Sequence, residues 1–182
     1  MRTRHPKIPP MWLMTDERMG DGLWAALDRV PRGGGIIFRH YSLDRQARRV
    51  LFEQVRRIAR RRRLTLLVAG NDGLGRGSDG AHGRSARQRY GIKSWPAHNA
   101  REIIAGRRAG ADMILISPIF ATRSHPGAAH LGIVRAAALA KLAPGRMIAL
   151  GGVGPRQARR LVQAGFQGWA AIDAWQSIEK NA

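Results

Sequence analysis

Cationic and amide side chains recur in this sequence directly after short apolar runs. The positions are Arg39, Asn71, Asp72, Lys93, Thr122, Arg123 and His125. Loops that follow buried strands often carry binding sites, and guanidinium and ammonium groups are strong partners for phosphate. Carboxylates are few in this set. The pattern therefore predicts a site for a phosphate ester rather than for a cation.

A glycine-rich turn adds a second anion-binding feature. In "ALGGVGPRQARR" (149–160), Gly151 and Gly152 follow an apolar run and precede a predicted helix with proline in its first turn. Glycines allow close backbone approach to an anion, and a helix N-terminus offers unpaired N–H groups. Alone, the pattern is equally typical of a tight turn. Its place after the seventh predicted strand favours phosphate binding.

Asp72 is the candidate ligand for Mg²⁺, which prefers oxygen ligands and often bridges a carboxylate to a pyrophosphate. The alternative is that Asn71-Asp72-Gly73 simply forms a turn, a common use of these residue types. His82, His98 and His130 have no partners at metal-binding spacing, so we interpret them as structural or surface histidines.

Eight short apolar runs alternate with helical stretches, which is typical of parallel strands joined by crossover helices. The strands are predicted at 11–14, 35–38, 64–70, 79–82, 90–95, 112–117, 146–152 and 168–173. With seven or eight helices between them, they predict one α/β domain folded as a compact (β/α)8 TIM barrel over 11–182, after a flexible tail at 1–10. A doubly wound open sheet is the alternative.

The chain has 182 residues and a formal net charge of +20, with 32 Lys and Arg against 12 Asp and Glu. The dense cluster "RRIARRRR" (56–63) falls on the outer face of a predicted helix, and arginine-rich usage also follows from genome composition. We therefore expect small anionic substrates as partners and do not expect nucleic-acid binding as the main function. There is no cysteine and no membrane-spanning stretch. We predict a cytoplasmic protein and leave homo-oligomer formation open.

Three segments together resemble one known family. "AGADMILISPIFATRSHPG", "IALGGVGPRQARRLVQAGFQGWAAIDA" and "SDGAH" are similar to motifs of the thiamine phosphate synthases and of their relatives, the TenI-type thiazole tautomerases. The resemblance runs from "WLMTD" to "AAIDAW". It implies a transferase of thiamine biosynthesis that joins hydroxymethylpyrimidine pyrophosphate to thiazole phosphate. Pyrophosphate leaves with the help of Mg²⁺, and the thiazole nitrogen attacks the pyrimidine cation.

Several site residues of that family have counterparts here. The resemblance implies that Arg39 and Asn71 act on the pyrophosphate, that Asp72 holds Mg²⁺, and that Thr122, Gly151 and Gly152 bind phosphate. Lys93, Arg123 and His125 are candidates for additional phosphate contacts.

Other positions depart from the family pattern. Ile37 stands in place of glutamine, Tyr41 and His125 in place of lysines, Lys93 and Asp173 in place of serines, and Trp95 in place of histidine. After "DGAH" no carboxylate supplies the second metal ligand. An aspartate facing a phosphate repels it. The hypothesis is a divergent member whose synthase activity is weakened, altered or lost.

Two alternatives remain. One is a TenI-like or other metal-free enzyme acting on a small phosphate ligand, although Trp95 in place of histidine argues against the tautomerase chemistry. The other is a non-catalytic binding protein.

Overall fold

The computed structural model describes residues 7–70, 73–74, 76–84, 91–122, 127 and 129–176. Eight parallel strands form a closed barrel in sequence order, with β8 hydrogen-bonded back to β1. The strands are β1 Met11–Met14, β2 Gly35–Phe38, β3 Thr65–Ala69, β4 Gly80–His82, β5 Ile92–Ala97, β6 Met113–Ile116, β7 Met147–Leu150 and β8 Gly168–Ala171. The predicted (β/α)8 barrel is confirmed, and closure excludes the open sheet.

Helices form the outer layer of the barrel in the described part of the chain. In the described part of the chain the α-helices are α1 Gly22–Arg29, α2 Arg45–Arg62, α3 Ala100–Arg108, α4 Gly132–Ala140 and α5 Pro155–Gln163, and two short 3-10 helices lie at Glu17–Met19 and Asp173–Trp175. The described residues thus contain five α-helices and two 3-10 helices, against the seven or eight helices that the sequence predicts for the whole chain. After β8, the short helix stacks Trp175 on Trp169, with ring centroids 5.0 Å apart, and so covers the strand.

Two apolar clusters follow from strand alternation, because successive side chains point to opposite faces. One cluster fills the barrel and includes Trp12, Met14, Ile37 and Leu115. The other lies between strands and helices. The barrel is thus a filled core, and ligands are restricted to its ends.

The lower end of the barrel includes residues that the sequence places in the tail. Ile8 is buried in the inner cluster. The Pro9 carbonyl accepts a hydrogen bond from Trp12 Nε1, and the Pro10 carbonyl accepts one from Trp169 N. Residues 8–10 therefore contact the barrel, and residues 1–6 lie outside the described residues.

Helix α2 begins at a well-formed cap, since the Asp44 side chain accepts hydrogen bonds from Gln46 N and Ala47 N. The spacing predicts that the arginines of α2 lie on its outer face, but not all of them do. Arg48 is only 4% exposed and points towards the barrel. No helix of the described chain is long and apolar enough to cross a membrane.

Candidate active site

A cleft of about 1760 Å³ opens at the carboxyl ends of the strands. Its lining includes residues that follow six of the strands, the last residue of β4 and two charged residues of neighbouring helices: Asp16, Arg18, Arg29, Arg39, Tyr41, His82, His98, Ser117, Thr122, Gly151, Gly152, Gly154, Arg156 and Asp173. This is the end of a (β/α)8 barrel where active sites are found. Among the lining residues that the structure describes, four arginines stand against two aspartates, so this part of the cleft is cationic.

An ion-pair cluster occupies the β1–β2 side of the cleft. Asp16 is 6% exposed, and its Oδ1 accepts hydrogen bonds from Arg18 N at 3.1 Å and from Arg18 Nε at 2.7 Å. Its Oδ2 accepts one from Arg39 Nη2 at 3.3 Å. Burial raises the pKa of Asp16, but the bonds from Arg18 and the charges of Arg18 and Arg39 outweigh burial and hold the pKa below its ordinary value. Asp16 is therefore ionised and orients two arginines.

The end of β2 is attached to the end of β1 by Thr15. Thr15 Oγ1 accepts a hydrogen bond from Arg39 N at 3.0 Å and pairs with His40 Nδ1 at 3.0 Å. His40 has a φ of 45°, a left-handed conformation that is strained for a non-glycine residue, and its ring stacks on Phe38. This turn places Arg39 and the half-exposed Tyr41 in the cleft wall.

Arg48 holds the ends of β2 and β3 together from below. Its Nε donates to the carbonyls of Arg39 and His40, both at 2.9 Å, and its Nη2 donates to the Ala69 carbonyl at 2.6 Å. The guanidinium also lies over the rings of Phe38 and Tyr41. One buried side chain thus fixes the backbone beside Arg39 and the last residue of β3, a role that helical spacing did not predict.

A polar pair lies in the floor of the cleft. His82 Nδ1 and Ser94 Oγ, on the paired strands β4 and β5, are 2.8 Å apart. Burial and the charge of Arg39 lower the pKa of His82 to about 4, so the imidazole is neutral near pH 7. His82 therefore offers the cleft a neutral hydrogen-bonding group.

Backbone groups, rather than side chains, form the β6–β7 side of the cleft. Ile119 N donates to the Leu150 carbonyl and Phe120 N donates to the Gly151 carbonyl, so the loop after β6 lies against the loop after β7. Gly152 has a φ of 63°, and a Cβ there would overlap the Ala121 carbonyl oxygen. Only glycine allows this close approach. Two residues later, Gly154 is the N-cap of α5. The N–H groups at this helix start favour an anion.

The structure brings some of the predicted site residues together. Arg39, Thr122, Gly151 and Gly152 all line the cleft. The predictions for Asn71, Asp72, Arg123 and His125 concern positions outside the described residues.

Lys93 is not at this end of the barrel. It is the second residue of β5, is 7% exposed, and its Nζ donates to the Ala109 carbonyl at 2.7 Å after α3. Its side chain faces the helix layer, so the expectation of a phosphate contact from Lys93 is corrected.

The residue that the sequence missed on β5 is His98. The strand ends at Ala97 rather than at residue 95, so His98 is the side chain that follows it and lines the cleft. His98 Nδ1 lies 2.8 Å from the Ser117 carbonyl, and its backbone N donates to Glu102 Oε2 at 2.7 Å. Trp95 instead packs against Gly106 of α3. The alternation of Ile92, Ser94, Pro96 and His98 would have been the signal.

The described geometry can be compared with known proteins. A family model described as thiamine monophosphate synthase matches residues 12–175, which is nearly the whole barrel. The chain belongs to the thiamine monophosphate synthase family. Membership gives it a thiamine phosphate synthase-like function, that of a transferase in thiamine biosynthesis.

Individual relatives agree with this family. The chain is 27% identical over 180 residues to a thiamine-phosphate synthase of Chloroflexus aurantiacus, covering 90% of this chain and 83% of the relative. It is 29% identical over 173 residues to that of Geobacillus thermodenitrificans, covering 85% and 76%. The fold matches a thiamine phosphate pyrophosphorylase from Pyrococcus furiosus with a TM-score of 0.72 at 19% identity, over 90% of this chain and 85% of the other.

Besides Lys93 and Trp95, three departures from the pattern of the thiamine monophosphate synthase family lie within the described residues. Ile37 is fully buried in the inner cluster below the cleft. Tyr41 and Asp173 both line the cleft. The substitutions at Tyr41 and Asp173 therefore change surfaces that a ligand would meet, whereas Ile37 contributes to packing.

Proposed function

We propose that this chain catalyses formation of thiamine phosphate from hydroxymethylpyrimidine pyrophosphate and thiazole phosphate. In this reaction the C–O bond to pyrophosphate breaks, the thiazole nitrogen forms the new C–N bond, and pyrophosphate leaves. The observation that carries the proposal is the glycine loop at the start of α5, which shares one cleft with Arg39 in a barrel of this family. That arrangement offers two separate places for anionic groups.

The residues divide into two groups in this proposal. Arg39 and Asn71 contact the pyrophosphate and stabilise charge on the leaving group. Thr122, Gly151 and Gly152 hold the thiazole phosphate, with Arg123 and His125 as further contacts. Positioning the two substrates supplies much of the rate, since the protein forms no covalent bond to either.

Mg²⁺ is the proposed cofactor, and Asp72 is its proposed ligand. Among the described residues no group of three His, Cys, Asp or Glu side chains is placed to hold a metal ion. A single carboxylate fits nevertheless, because Mg²⁺ is often held by one or two carboxylates together with substrate phosphates. When bound, it would neutralise charge on the departing pyrophosphate.

We expect the reaction to be slower than in relatives with the family's residues. Tyr41 offers a phenol where an ammonium group would attract the anion more strongly, and Asp173 places a carboxylate in the cleft. The cytoplasmic location stays a prediction.

Calorimetric titration with hydroxymethylpyrimidine pyrophosphate, with and without Mg²⁺, tests the proposal, followed by a synthase assay. We expect binding that depends on Mg²⁺ and slow product formation. Asp72→Asn should abolish the Mg²⁺ dependence, whereas the control Asp28→Asn, on the outer face of α1, should behave like the unchanged chain. The absence of binding under both conditions would contradict the proposal.

His98 favours a second candidate, a TenI-like enzyme that moves a proton on a thiazole phosphate without metal. Because a carbonyl oxygen only accepts, His98 Nδ1 must carry the proton that it shares with Ser117. In the neutral ring this leaves the Nε2 lone pair as a base. Isomerisation of a thiazole tautomer in the presence of a chelator, lost in His98→Asn and retained in Asp72→Asn, would support this candidate over the synthase. If no isomerisation occurs, the candidate is wrong.

A further inference from the structure

The floor of the cleft differs in chemistry from its rim. The lining residues that belong to strands form the floor, and they are Met14, His82, Pro96, Leu150 and Ala171. The charged Asp and Arg side chains of the described lining lie in loops or helices and form the rim: Asp16, Arg18, Arg29, Arg39, Arg156 and Asp173. The floor thus presents four apolar side chains and one imidazole. Such a surface fits an uncharged part of a ligand, with one polar group to orient it.

Ser94 holds the imidazole of His82 in this floor. His82 and Ser94 are opposite each other on β4 and β5, and His82 Nδ1 lies 2.8 Å from Ser94 Oγ. Ser94 is fully buried, so its hydroxyl pairs with His82 out of contact with water. Burial also lowers the pKa of His82 to about 4, which leaves the ring uncharged near pH 7. With Nδ1 engaged by Ser94, the ring nitrogen that remains for a ligand is Nε2.

A neutral imidazole held in this way suits an aminopyrimidine ring. If Ser94 donates to Nδ1, then Nε2 carries a proton and donates to a ring nitrogen of the ligand. If Nδ1 donates to Ser94, then Nε2 accepts a hydrogen bond from an amino group. The pyrimidine of the proposed substrate offers an amino group beside a ring nitrogen, so either arrangement finds a partner. Phosphate groups are bound more strongly by the guanidinium groups of the rim.

We propose that His82 is a specificity-determining residue whose Nε2 hydrogen-bonds the aminopyrimidine ring in the floor of the cleft, and that Ser94 is the positioning residue that fixes the imidazole. The inference rests on the proposed function, since it takes hydroxymethylpyrimidine pyrophosphate as the ligand. It assigns the ring to the floor and the pyrophosphate to the rim. Loss of His82 should therefore weaken binding of the ring and leave binding of pyrophosphate alone unchanged.

Calorimetric titration with two probes, hydroxymethylpyrimidine pyrophosphate and inorganic pyrophosphate, separates these contributions when both are measured with Mg²⁺. His82→Phe retains a flat ring but removes both nitrogens. We expect it to bind hydroxymethylpyrimidine pyrophosphate about tenfold more weakly, which corresponds to about one hydrogen bond. Its affinity for inorganic pyrophosphate should stay within about twofold of the unchanged chain.

Two amide variants distinguish contact with the ligand from support of the floor. The short side chain in His82→Asn places its amide near the position of Nδ1 and keeps a partner for Ser94, whereas the longer one in His82→Gln brings its amide near the position of Nε2. We expect hydroxymethylpyrimidine pyrophosphate to bind about tenfold more weakly to His82→Asn and within about threefold of normal to His82→Gln. A merely structural role would give the opposite order.

The role of Ser94 is tested by a double-mutant cycle. Ser94→Ala should weaken binding of hydroxymethylpyrimidine pyrophosphate about threefold in the unchanged chain and cause no further loss in His82→Phe. A further loss there would show that Ser94 does not act through His82. His130→Phe, at an exposed histidine outside the cleft lining, is the matched control and should leave both affinities unchanged.

The two probes also separate failure of the inference from failure of the proposed function. Normal binding of hydroxymethylpyrimidine pyrophosphate by His82→Phe, or a His82→Gln variant as weak as His82→Phe, would overturn the inference and leave the proposed function intact. An equal loss of both probes in His82→Phe would do the same, because it would show that His82 supports the cleft as a whole. If the unchanged chain does not bind hydroxymethylpyrimidine pyrophosphate, both fail. Retained binding of inorganic pyrophosphate shows that each variant is folded.

Discussion

The two sides of the cleft are constructed in different ways. On the β6–β7 side, backbone groups meet: the loop after β6 hydrogen-bonds to the loop after β7, and Gly152 lies against the Ala121 carbonyl. On the β1–β3 side, long side chains connect the strand ends, with Asp16 bound to two arginines and Arg48 bound to three carbonyls. One side depends on the absence of side chains and the other on their presence.

The two kinds of construction tolerate different substitutions. A backbone site is insensitive to most neighbouring side chains but fails when a Cβ intrudes. A site built from ion pairs tolerates small changes of shape but depends on each charge keeping its partner, because a buried charge without a partner is costly. The departures from the family pattern that line the described cleft, Tyr41 and Asp173, replace side chains, while Gly151 and Gly152 are kept.

The largest effect is expected from Gly152→Ala, which alters the β6–β7 side of the cleft, where backbone groups meet. The added Cβ would overlap the Ala121 carbonyl, and the residue keeps a positive φ, so we expect a loss of about 4 kcal/mol of unfolding free energy and no measurable phosphate binding. Gly145→Ala is the matched control. Gly145 has a φ of 69° but nothing within 4 Å of its Cβ position, so only about 1 kcal/mol of strain is expected. Equal losses in the two variants, measured by urea unfolding, would refute the close-approach argument.

Arg48→Met alters the β1–β3 side of the cleft, where side chains connect the strand ends. Methionine retains the apolar contact with Phe38 but leaves the carbonyls of Arg39, His40 and Ala69 without the guanidinium, so we expect a loss of about 3 kcal/mol in urea unfolding. Binding of hydroxymethylpyrimidine pyrophosphate should weaken about fivefold because Arg39 loses its support. Arg49→Met, at the next and exposed position, should change stability by less than about 0.5 kcal/mol. A normal stability for Arg48→Met would show that the strand ends do not need this connection.

Acid should weaken the fold through His82. Its pKa is about 4 in the folded chain against 6.5 ordinarily, so between these values the unfolded chain binds more protons and stability falls as pH falls. After discounting for partial exposure of the ring, this amounts to about 2 kcal/mol between pH 7 and pH 4. His82→Asn should reduce this slope without abolishing it, because burial also lowers the pKa of His40. The exposed His130→Asn is the control; an unchanged slope in His82→Asn would be contrary to expectation.

The barrel could be predicted from the sequence because few other folds accommodate eight short apolar runs that alternate with helical stretches. The helix number could not. Strand β8 is covered by the short helix that follows it, and sequence periodicity does not show that Trp175 will stack on Trp169. Closure also rests on long-range pairs, such as Trp12 with Ala170, that local patterns do not contain.

The residues of the site also fall into those that could be predicted from the sequence and those that could not. The positions of Arg39, Gly151 and Gly152 at the cleft were predictable because each lies at or just after the end of a predicted strand. Lys93 and His98 were misplaced by one error, ending β5 before Pro96, since proline normally argues against a central strand. The contacts of Asp16, Arg18 and Arg48 join separate segments and depend on side-chain reach, which spacing along one helix or strand does not reveal.

The smallest expected effect comes from Lys93→Met. This variant tests whether the Lys93 side chain contacts phosphate, as the sequence predicts, or faces the helix layer, as in the structure. Because Lys93 Nζ bonds the Ala109 carbonyl and lies near the Trp95 ring, methionine should cost about 1 kcal/mol in urea unfolding. Inorganic phosphate affinity should stay within about twofold, since the side chain faces α3 and not the cleft. If phosphate binding instead fell about tenfold while stability was unchanged, Lys93 would have to reach the ligand, and the observed end of β5 at Ala97 would be wrong.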